Sequence, residues 1–392
     1  MPHNYFQMCI PTKIIFGSGQ LNKLHKQKMP GKKAVVVISE GKSTRVNGYL
    51  AKTEEQLKMA GVSFILFDKI QANPFRATVM EGAAFARDNQ CDFIVALGGG
   101  SCIDASKAIA LMATNEGDLW DYMVRGSGKG KTLLNKPLPL VAIPTTAGTG
   151  SEVDPWAVVT DPVKHEKMGL GNENTFPFLS VIDPELTISV PPVYTAFQGF
   201  DALFHSAESY VSTSANLLSD TLTLSAIRHI AGNLAKCVRN GNDIAAREKV
   251  AYGNTLSGMV ESIGSVTSMH SLEHAMSAFH QDLPHGAGLI MISKAYFSHF
   301  IDKHICDERF VRMTEAMGMD NAKRPEDFIT ALEKLQQDCG VAELKMSSYG
   351  IKPDEFASLA KNARDTMGHL FERDPIKLSA EDCVAIFRAS FK

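Results

Sequence analysis

Near the middle of the chain the hydrophobic pattern changes its period, and only a two-part architecture accommodates the change. Between Lys32 and Asp183, short apolar runs alternate with amphipathic stretches: AVVVIS (34–39), SFILF (63–67), FIVALGGG (93–100), LPLVAIP (138–144) and FLSVID (178–183). Runs that are apolar on both sides of the pleat, with helices between them, belong to a parallel sheet covered on both faces. After Pro191-Pro192 the period is helical to the end, with hardly any β-branched run. The spacing predicts an α/β domain over 1–187 and an all-helical domain over 188–392. A boundary near Leu186 to Pro192 would put a cleft between sheet edge and helices, where ligand sites tend to lie.

At 392 residues the chain exceeds what one core usually serves, which fits two domains. Its formal net charge of −3, with 21% charged residues, offers nothing to nucleic acid or an anionic membrane. Small molecules, or further copies of the chain, are the expected partners. The seven cysteines make neither a CxxC pair nor a disulfide-scaffold spacing, as expected of a reducing compartment. The segment MPHNYFQMCIPTKIIFG lacks the basic and apolar parts of an export signal, and no run is long enough to span a bilayer. A cytoplasmic location is the expectation.

Two loops point to a nucleotide. The run Ile94 to Leu97 enters Gly98, Gly99, Gly100 and Ser101, and a helix containing Asp104 follows. Glycines let backbone N–H groups approach a diphosphate, and a helix start adds partial positive charge. The layout is not GxGxxG, so the usual dinucleotide fingerprint is absent. After LVAIP comes a second loop, Thr145, Thr146, Ala147, Gly148 and Thr149, whose hydroxyls suit phosphate, ribose or amide groups. Two such loops on neighbouring strands make one nucleotide cleft. Glu40, just past AVVVIS, would accept from a free ribose 2′-OH and repel a 2′-phosphate, which favours NAD over NADP.

The helical half carries candidate metal ligands. Asp201 and His205 are four apart and share a helix face, as do His270 and His274, and His285 stands at an expected helix start. Asp201, His205, His270 and His285 would give an N3O set suited to Fe(II) or Zn(II), with room for a substrate oxygen. Met269, Leu272, Met276 and Phe279 fall on the opposite face from the two histidines. His274 reads either as a further ligand or as a carrier of protons.

Taken in order, FGSG (16–19), Asn73-Pro74, GGGSCIDASK (98–107), IPTTAGTGSE (143–152), DALFH (201–205) and HSLEH with PHG (270–286) resemble the iron-containing, group III alcohol dehydrogenases over nearly the whole chain. That family includes lactaldehyde reductases and propanediol and butanol dehydrogenases. The resemblance implies an N-terminal dinucleotide-binding α/β domain and a C-terminal metal-binding helical domain, the fold of dehydroquinate synthase, in a homodimer or larger homo-oligomer. It implies interconversion of a small primary alcohol or diol and its aldehyde by hydride transfer. Ligands would be Asp201, His205, His270 and His285, with His274 catalytic. Cofactor would lie against Gly98 to Ser101, Asp104, Thr145, Thr146 and Thr149, with Lys167 on the nucleotide and Asn73 near the adenosine end. Alternatives are a glycerol dehydrogenase-like polyol oxidation and a metal-dependent lyase of the dehydroquinate synthase kind. The lyase needs basic residues about its substrate, and segments 196–210 and 261–290 contain none.

Three departures bear on substrate. The interval from His270 to His285 is one residue longer than the family leads one to expect. Glu261 stands where relatives place an apolar pocket residue, which would favour a polar or hydroxylated substrate if it faces the pocket. Trp156 takes the place of a small polar residue found in some diol-active relatives.

Overall fold

The computed structural model describes residues 5–392. The chain divides into two compact units: Cys9–Val190, and Pro191–Lys392 together with the described residues before Cys9.

In the first unit the strands are β1 (Lys13–Phe16), β2 (Lys33–Ser39), β3 (Ser63–Ile70), β4 (Phe93–Gly98), β5 (Leu140–Pro144), β6 (Ala157–Asp161), β7 (Glu166–Leu170) and β8 (Leu179–Ile182). Six of them form one sheet among the described residues, ordered β1-β8-β5-β4-β2-β3 and parallel throughout. Its helices are α1 (Ser43–Val46), α2 (Tyr49–Met59), α3 (Arg76–Asp88), α4 (Gly100–Thr114) and α5 (Leu119–Tyr122). Val35, Val36, Val37, Ile94, Val95, Val141 and Ile143 have no exposed surface, as the unbroken apolar runs require of strands covered on both faces. The order reverses between β2 and β4, because β3 lies to one side of β2 and every later strand of the sheet to the other. At such a switch point the loops leaving the two strands diverge and open a crevice at the carboxyl edge.

Two elements depart from the sequence reading. KIIF, partly exposed, adds β1 to the sheet edge by pairing with β8. β6 and β7 form an antiparallel hairpin. Its second strand, EKMGL, reads as polar, yet Glu166 is buried because Trp120 Nε1 and the backbone N and Oγ of Ser127 all donate to its carboxylate.

The second unit is helical: α6 (Pro192–Val211), α7 (Leu217–Ala231), α8 (Leu234–Arg239), α9 (Ile244–Ile263), α10 (Ser268–Phe279), α11 (His285–Ile301), α12 (Asp307–Ala316), α13 (Asp327–Asp338), α14 (Phe356–Met367) and α15 (Ala380–Ser390). Proline at the start of α6 suits a first turn whose N–H has no helical partner. A single core runs through this unit, with Phe200, Phe204, Tyr296, Phe297, Phe300, Phe310, Phe328 and Phe387 fully buried. α6, α10 and α11 lie in its middle, buried over most of their lengths. No described helix is long and apolar enough to cross a membrane.

Candidate metal centre and nucleotide loops

Asp201 and His205 project from α6, His270 and His274 from α10, and His285 is the first residue of α11. The start of α11 is pinned by close approach: a Cβ on Gly286 would lie 2.1 Å from the carbonyl oxygen of Phe197 on α6, so only glycine allows this contact. The histidine before it is thereby carried to Asp201, and Asp201 Oδ1 becomes the centre of the cluster. It lies 3.6 Å from His205 Nε2, 3.6 Å from His270 Nε2 and 3.4 Å from His285 Nε2. The interval between His270 and His285 includes the turn before α11, where Leu283 N donates to His280 O and His280 Nε2 meets Glu355.

These spacings are too wide for good hydrogen bonds. They match instead the edge of a tetrahedron about an ion with metal–ligand bonds of about 2.0–2.1 Å, which is roughly 3.4 Å. Asp201 Oδ1 and His270 Nε2 are buried and have no hydrogen-bond partner among the described residues. The donor set of one carboxylate and three imidazoles fits a first-row divalent ion.

Carboxylates behind the rings decide which nitrogen faces inward. His270 Nδ1 hydrogen-bonds to Glu208 Oε1, and His285 Nδ1 to Glu273 Oε2; both acids are fully buried. With Nδ1–H given to a carboxylate, the Nε2 lone pair is left for a metal, and the ring's basicity rises. His205 Nδ1 faces Glu261 Oε1 at 3.5 Å. The electrostatics agree. Burial alone would lower the His270 imidazole, but Glu208 and Asp201 overcome it and raise it to about 10. Burial alone would raise the Asp201 carboxyl, but the surrounding histidines hold it well below the ordinary range. The centre is a place built to hold positive charge.

Sequence reasoning missed Glu208 and Glu273 as partners of the ligand rings. Glu208 continues the face of Asp201 and His205 along α6, a signal available in the sequence. Glu273 was hidden, because its partner lies across a turn on another helix. A Cβ on Gly288 would sit 2.7 Å from Glu273 Cγ, so glycine on α11 makes the space this carboxylate fills. We expect Glu273→Leu to weaken metal binding about 10- to 100-fold, the usual cost of losing such a partner, measured by chelator competition. An unchanged affinity would show that the turn alone fixes His285. Glu261 is mostly buried beside His205, its side chain 12% exposed, and so does not simply face solvent. His274 is buried, with its ring centroid 5.3 Å from that of His285, and Glu273, His274 and His285 also group their ligand atoms closely.

In the α/β unit, the segments singled out in the sequence follow the carboxyl ends of parallel strands: Glu40 after β2, Asn73 after β3, Gly98 to Ser101 at β4 and Thr145 to Thr149 after β5. β4 and β5 pair up to Gly98 and Pro144, and Thr145 N donates to Gly98 O. The two loops therefore touch. A Cβ on Gly100 would stand 2.2 Å from Thr149 Cγ2, and one on Gly99 would stand 3.0 Å from Thr146 Cγ2. The glycines are needed to seat the threonines as well as to bare the backbone. Ser101, Thr145, Thr146 and Thr149 keep partial exposure. Asp104 is buried, and its oxygens accept from Ser151 Oγ and Val158 N, at 2.6 and 3.0 Å. Its carboxylate thus ties the helix to the segment beyond the threonine loop. Burial raises the Asp104 carboxyl above its ordinary value, opposed first by Lys107 and least by Lys167, which is buried in β7. Asn73 is nearly buried, with a left-handed φ of 50°, and Glu40 is exposed. Trp156 is 43% exposed.

Known sequences and structures match both units. A sequence profile described as iron-containing alcohol dehydrogenase covers residues 11–184, and one described as the C-terminal domain of the Fe-containing alcohol dehydrogenase family covers 195–391. The chain is 33% identical to a 1,3-propanediol dehydrogenase of Klebsiella pneumoniae over the whole of both proteins. It is 32% identical to an NAD-dependent methanol dehydrogenase of Bacillus methanolicus, covering 92% of this chain and 93% of that one. The crystal structure of an archaeal halo-thermophilic alcohol dehydrogenase from a Red Sea brine pool superposes with a TM-score of 0.94 at 32% identity, covering 100% of each chain.

Proposed function

The chain belongs to the iron-containing alcohol dehydrogenase family and is an oxidoreductase acting between alcohols and aldehydes, and from that premise we propose that it works with NAD(H) and Fe(II) on a small primary alcohol or diol. The observation that carries the ion's place is the meeting of three Nε2 atoms about Asp201 Oδ1, two of them on rings whose Nδ1 is held by a buried carboxylate. A divalent ion held there supplies Lewis-acid polarisation of the alcohol or carbonyl oxygen, and the nicotinamide supplies the hydride acceptor or donor.

The chain's own residues do the rest. Asp201, His205, His270 and His285 hold the ion, while Glu208 and Glu273 fix the rings of His270 and His285. His274 moves the proton between substrate and solvent, a task suited to an imidazole. Gly98 to Ser101 and Thr145, Thr146 and Thr149 hold the nucleotide, with Lys167 and Asn73 beside it and Asp104 bracing the loops. NAD over NADP is supported by Glu40 beside the switch point and by a relative named for NAD dependence. Iron over zinc is supported by the family's description; the donor set itself accepts both. Two relatives of nearly equal identity bear the names of different alcohols, so kinship does not fix the preferred substrate, and Glu261, beside His205, is the residue proposed to bias it. A cytoplasmic location is supported by seven cysteines carried as free thiols, and assembly into a homo-oligomer is proposed from the family resemblance alone.

The test is anaerobic: protein loaded with Fe(II) or Zn(II) is given NADH or NADPH and small aldehydes, and reduced-nicotinamide absorbance is followed. Metal-dependent loss, with NADH preferred by about tenfold or more, an energy of about 1.4 kcal/mol, is expected. Preference for NADPH would remove the role given to Glu40, and no turnover with either ion would overturn the reading.

A further inference from the structure

Behind His270 runs a line of short oxygen–oxygen contacts that the reaction does not require. Glu208 Oε2 accepts from Thr267 Oγ1 at 2.7 Å; Thr267 Oγ1 lies 2.8 Å from Tyr296 Oη; and Tyr296 Oη lies 2.8 Å from Asp374 Oδ1. All four side chains are buried, Thr267 and Tyr296 completely. They come from α6, the start of α10, α11 and the segment before α15.

The contacts can be counted in protons. Three links between oxygens at these distances need three hydrogens, because two lone pairs facing each other at 2.8 Å would repel. The two hydroxyls bring two. The hydroxyl of Ser268, 3.4 Å from Tyr296 Oη, points at the line from the side and cannot fill any of the three links. The missing hydrogen must come from a carboxyl. Glu208 is poorly placed to supply it: Oε2 already accepts from Thr267 N at 2.9 Å and Oε1 faces the His270 ring. Asp374 is well placed, since Oδ1 accepts only one backbone N–H, from Ser268 at 3.0 Å, and Oδ2 is buried without a partner among the described residues.

We infer that Asp374 is carried as the neutral acid, and that it is a positioning residue for His270, donating its proton to Tyr296, which donates to Thr267, which donates to Glu208. Burial pushes the Asp374 carboxyl up to about 7 and nearby Glu208 raises it further, against hydrogen bonds from Ser268 and Tyr296 that lower it. The ionisable groups about it include Glu208 on α6, Tyr296 on α11 and Cys383 on α15, whose thiol is itself pushed up to about 11, chiefly by burial and against Arg364 on α14. Tyr296 can offer an ionised Asp374 its hydrogen only by leaving its contact with Thr267 without one, and the guanidinium of Arg364 is turned to Cys383, the carbonyl of Leu378 and the Phe371 ring.

The chain also explains how α10 is held. Thr267 makes no side-chain cap at the start of this helix. The N–H groups of Thr267 and Ser268 instead go to Glu208 and Asp374. One proton fewer would place a second buried charge at that point and set Tyr296 and Thr267 against each other, at the end of the helix that carries His270 and His274.

The sign of the pH effect follows from linkage. An aspartate titrates near 3.9 when unfolded, so between about pH 4 and pH 7 the folded protein binds the extra proton. Stability contributed by this residue is therefore greatest at low pH and declines as pH rises through that window. Asparagine does not titrate and so removes the decline, but it cannot both accept from Ser268 N and donate to Tyr296 through one atom as the acid Oδ1 does, so it loses one of the two links. Asp374→Asn should lie below the wild type in unfolding midpoint near pH 5, with the gap narrowing towards pH 8 as the wild-type carboxyl ionises, and Asp374→Ala should lie lower still. The wild type should show a carboxylic-acid carbonyl stretch in the infrared at neutral pH that Asp374→Asn lacks. Metal affinity should fall in both variants, by about tenfold in Asp374→Ala and by less in Asp374→Asn. The inference rests on the metal-centre reading only for that last comparison; the infrared and stability measurements are made on the full chain with no metal added, so the two can fail separately. An infrared band unchanged in Asp374→Asn, or a stability gap between the wild type and Asp374→Asn that does not narrow from pH 5 to pH 8, would overturn it.

Discussion

Asp201→Asn is expected to leave a folded protein that no longer retains its ion. The change keeps the shape of the side chain and removes the negative charge on which His205, His270 and His285 converge at 3.4 to 3.6 Å. Three imidazoles remain, but the neutral amide is a poor donor, and the carboxylates of Glu208 and Glu273 sit behind rings rather than at the ion. Turnover should fall about a thousandfold or more, which corresponds to about 4 kcal/mol of barrier once Lewis-acid polarisation is lost. Metal analysis of the purified variant, alongside circular dichroism to show that the helices persist, decides the matter. Full metal content with normal turnover would mean that Asp201 is not the hub of the centre.

The second large effect belongs to the α/β unit. Lys107 on α4 has a side chain with no exposed surface, and its ammonium donates to Ser151 Oγ at 2.8 Å, Asp154 Oδ1 at 2.9 Å and the carbonyl of Trp156 at 2.7 Å. Every donor is used, so this is a buried pair with its hydrogen bonds complete. Lys107→Met should therefore destabilise the unit by about 3–5 kcal/mol, because it abandons a carboxylate in the interior. Pairing it with Asp154→Leu should recover part of the loss. Urea unfolding of the single and double variants tests this, and a loss below about 1 kcal/mol in the single variant would show that Asp154 simply takes up a proton. Since Ser151 also donates to Asp104, the single variant should in addition loosen the threonine loop and weaken nucleotide binding.

Much of this architecture could be read before any coordinates. Strands β2, β4 and β5 are buried on both faces, and such strands announce themselves as unbroken apolar runs. β1 and β7 did not, for opposite reasons. KIIF is a half-exposed edge, and EKMGL is polar, its glutamate buried only because Trp120 and Ser127, about 40 residues earlier, satisfy it. The metal cluster divides in the same way. Helical spacing places Asp201 beside His205, and Pro284 marks the helix start that carries His285. No local rule could join His270 to Glu208, 62 residues away, or Tyr296 to Asp374, 78 residues away. Such partners are chosen by helix packing, and only the assembled core brings them together. The loops fared better than their chemistry: Gly98 to Ser101 and Thr145 to Thr149 do meet, but the reason Gly99 and Gly100 must be glycine lies in the methyl groups of Thr146 and Thr149, which no glycine motif foretells.

All four proposed ligands lie between Asp201 and His285, beyond the last strand of the sheet, and this fixes an order of events during synthesis. A chain made from its N-terminus has every strand of the α/β unit synthesised before the first ligand is translated, and domains generally fold as units in that direction. The centre cannot exist until α11 has been made and has docked against Phe197. Metal capture is then a late step in the making of the protein, and a chain lacking the ion would still have its sheet and loops in place. Supply of the ion, more than supply of the polypeptide, would set how much working catalyst the cell holds.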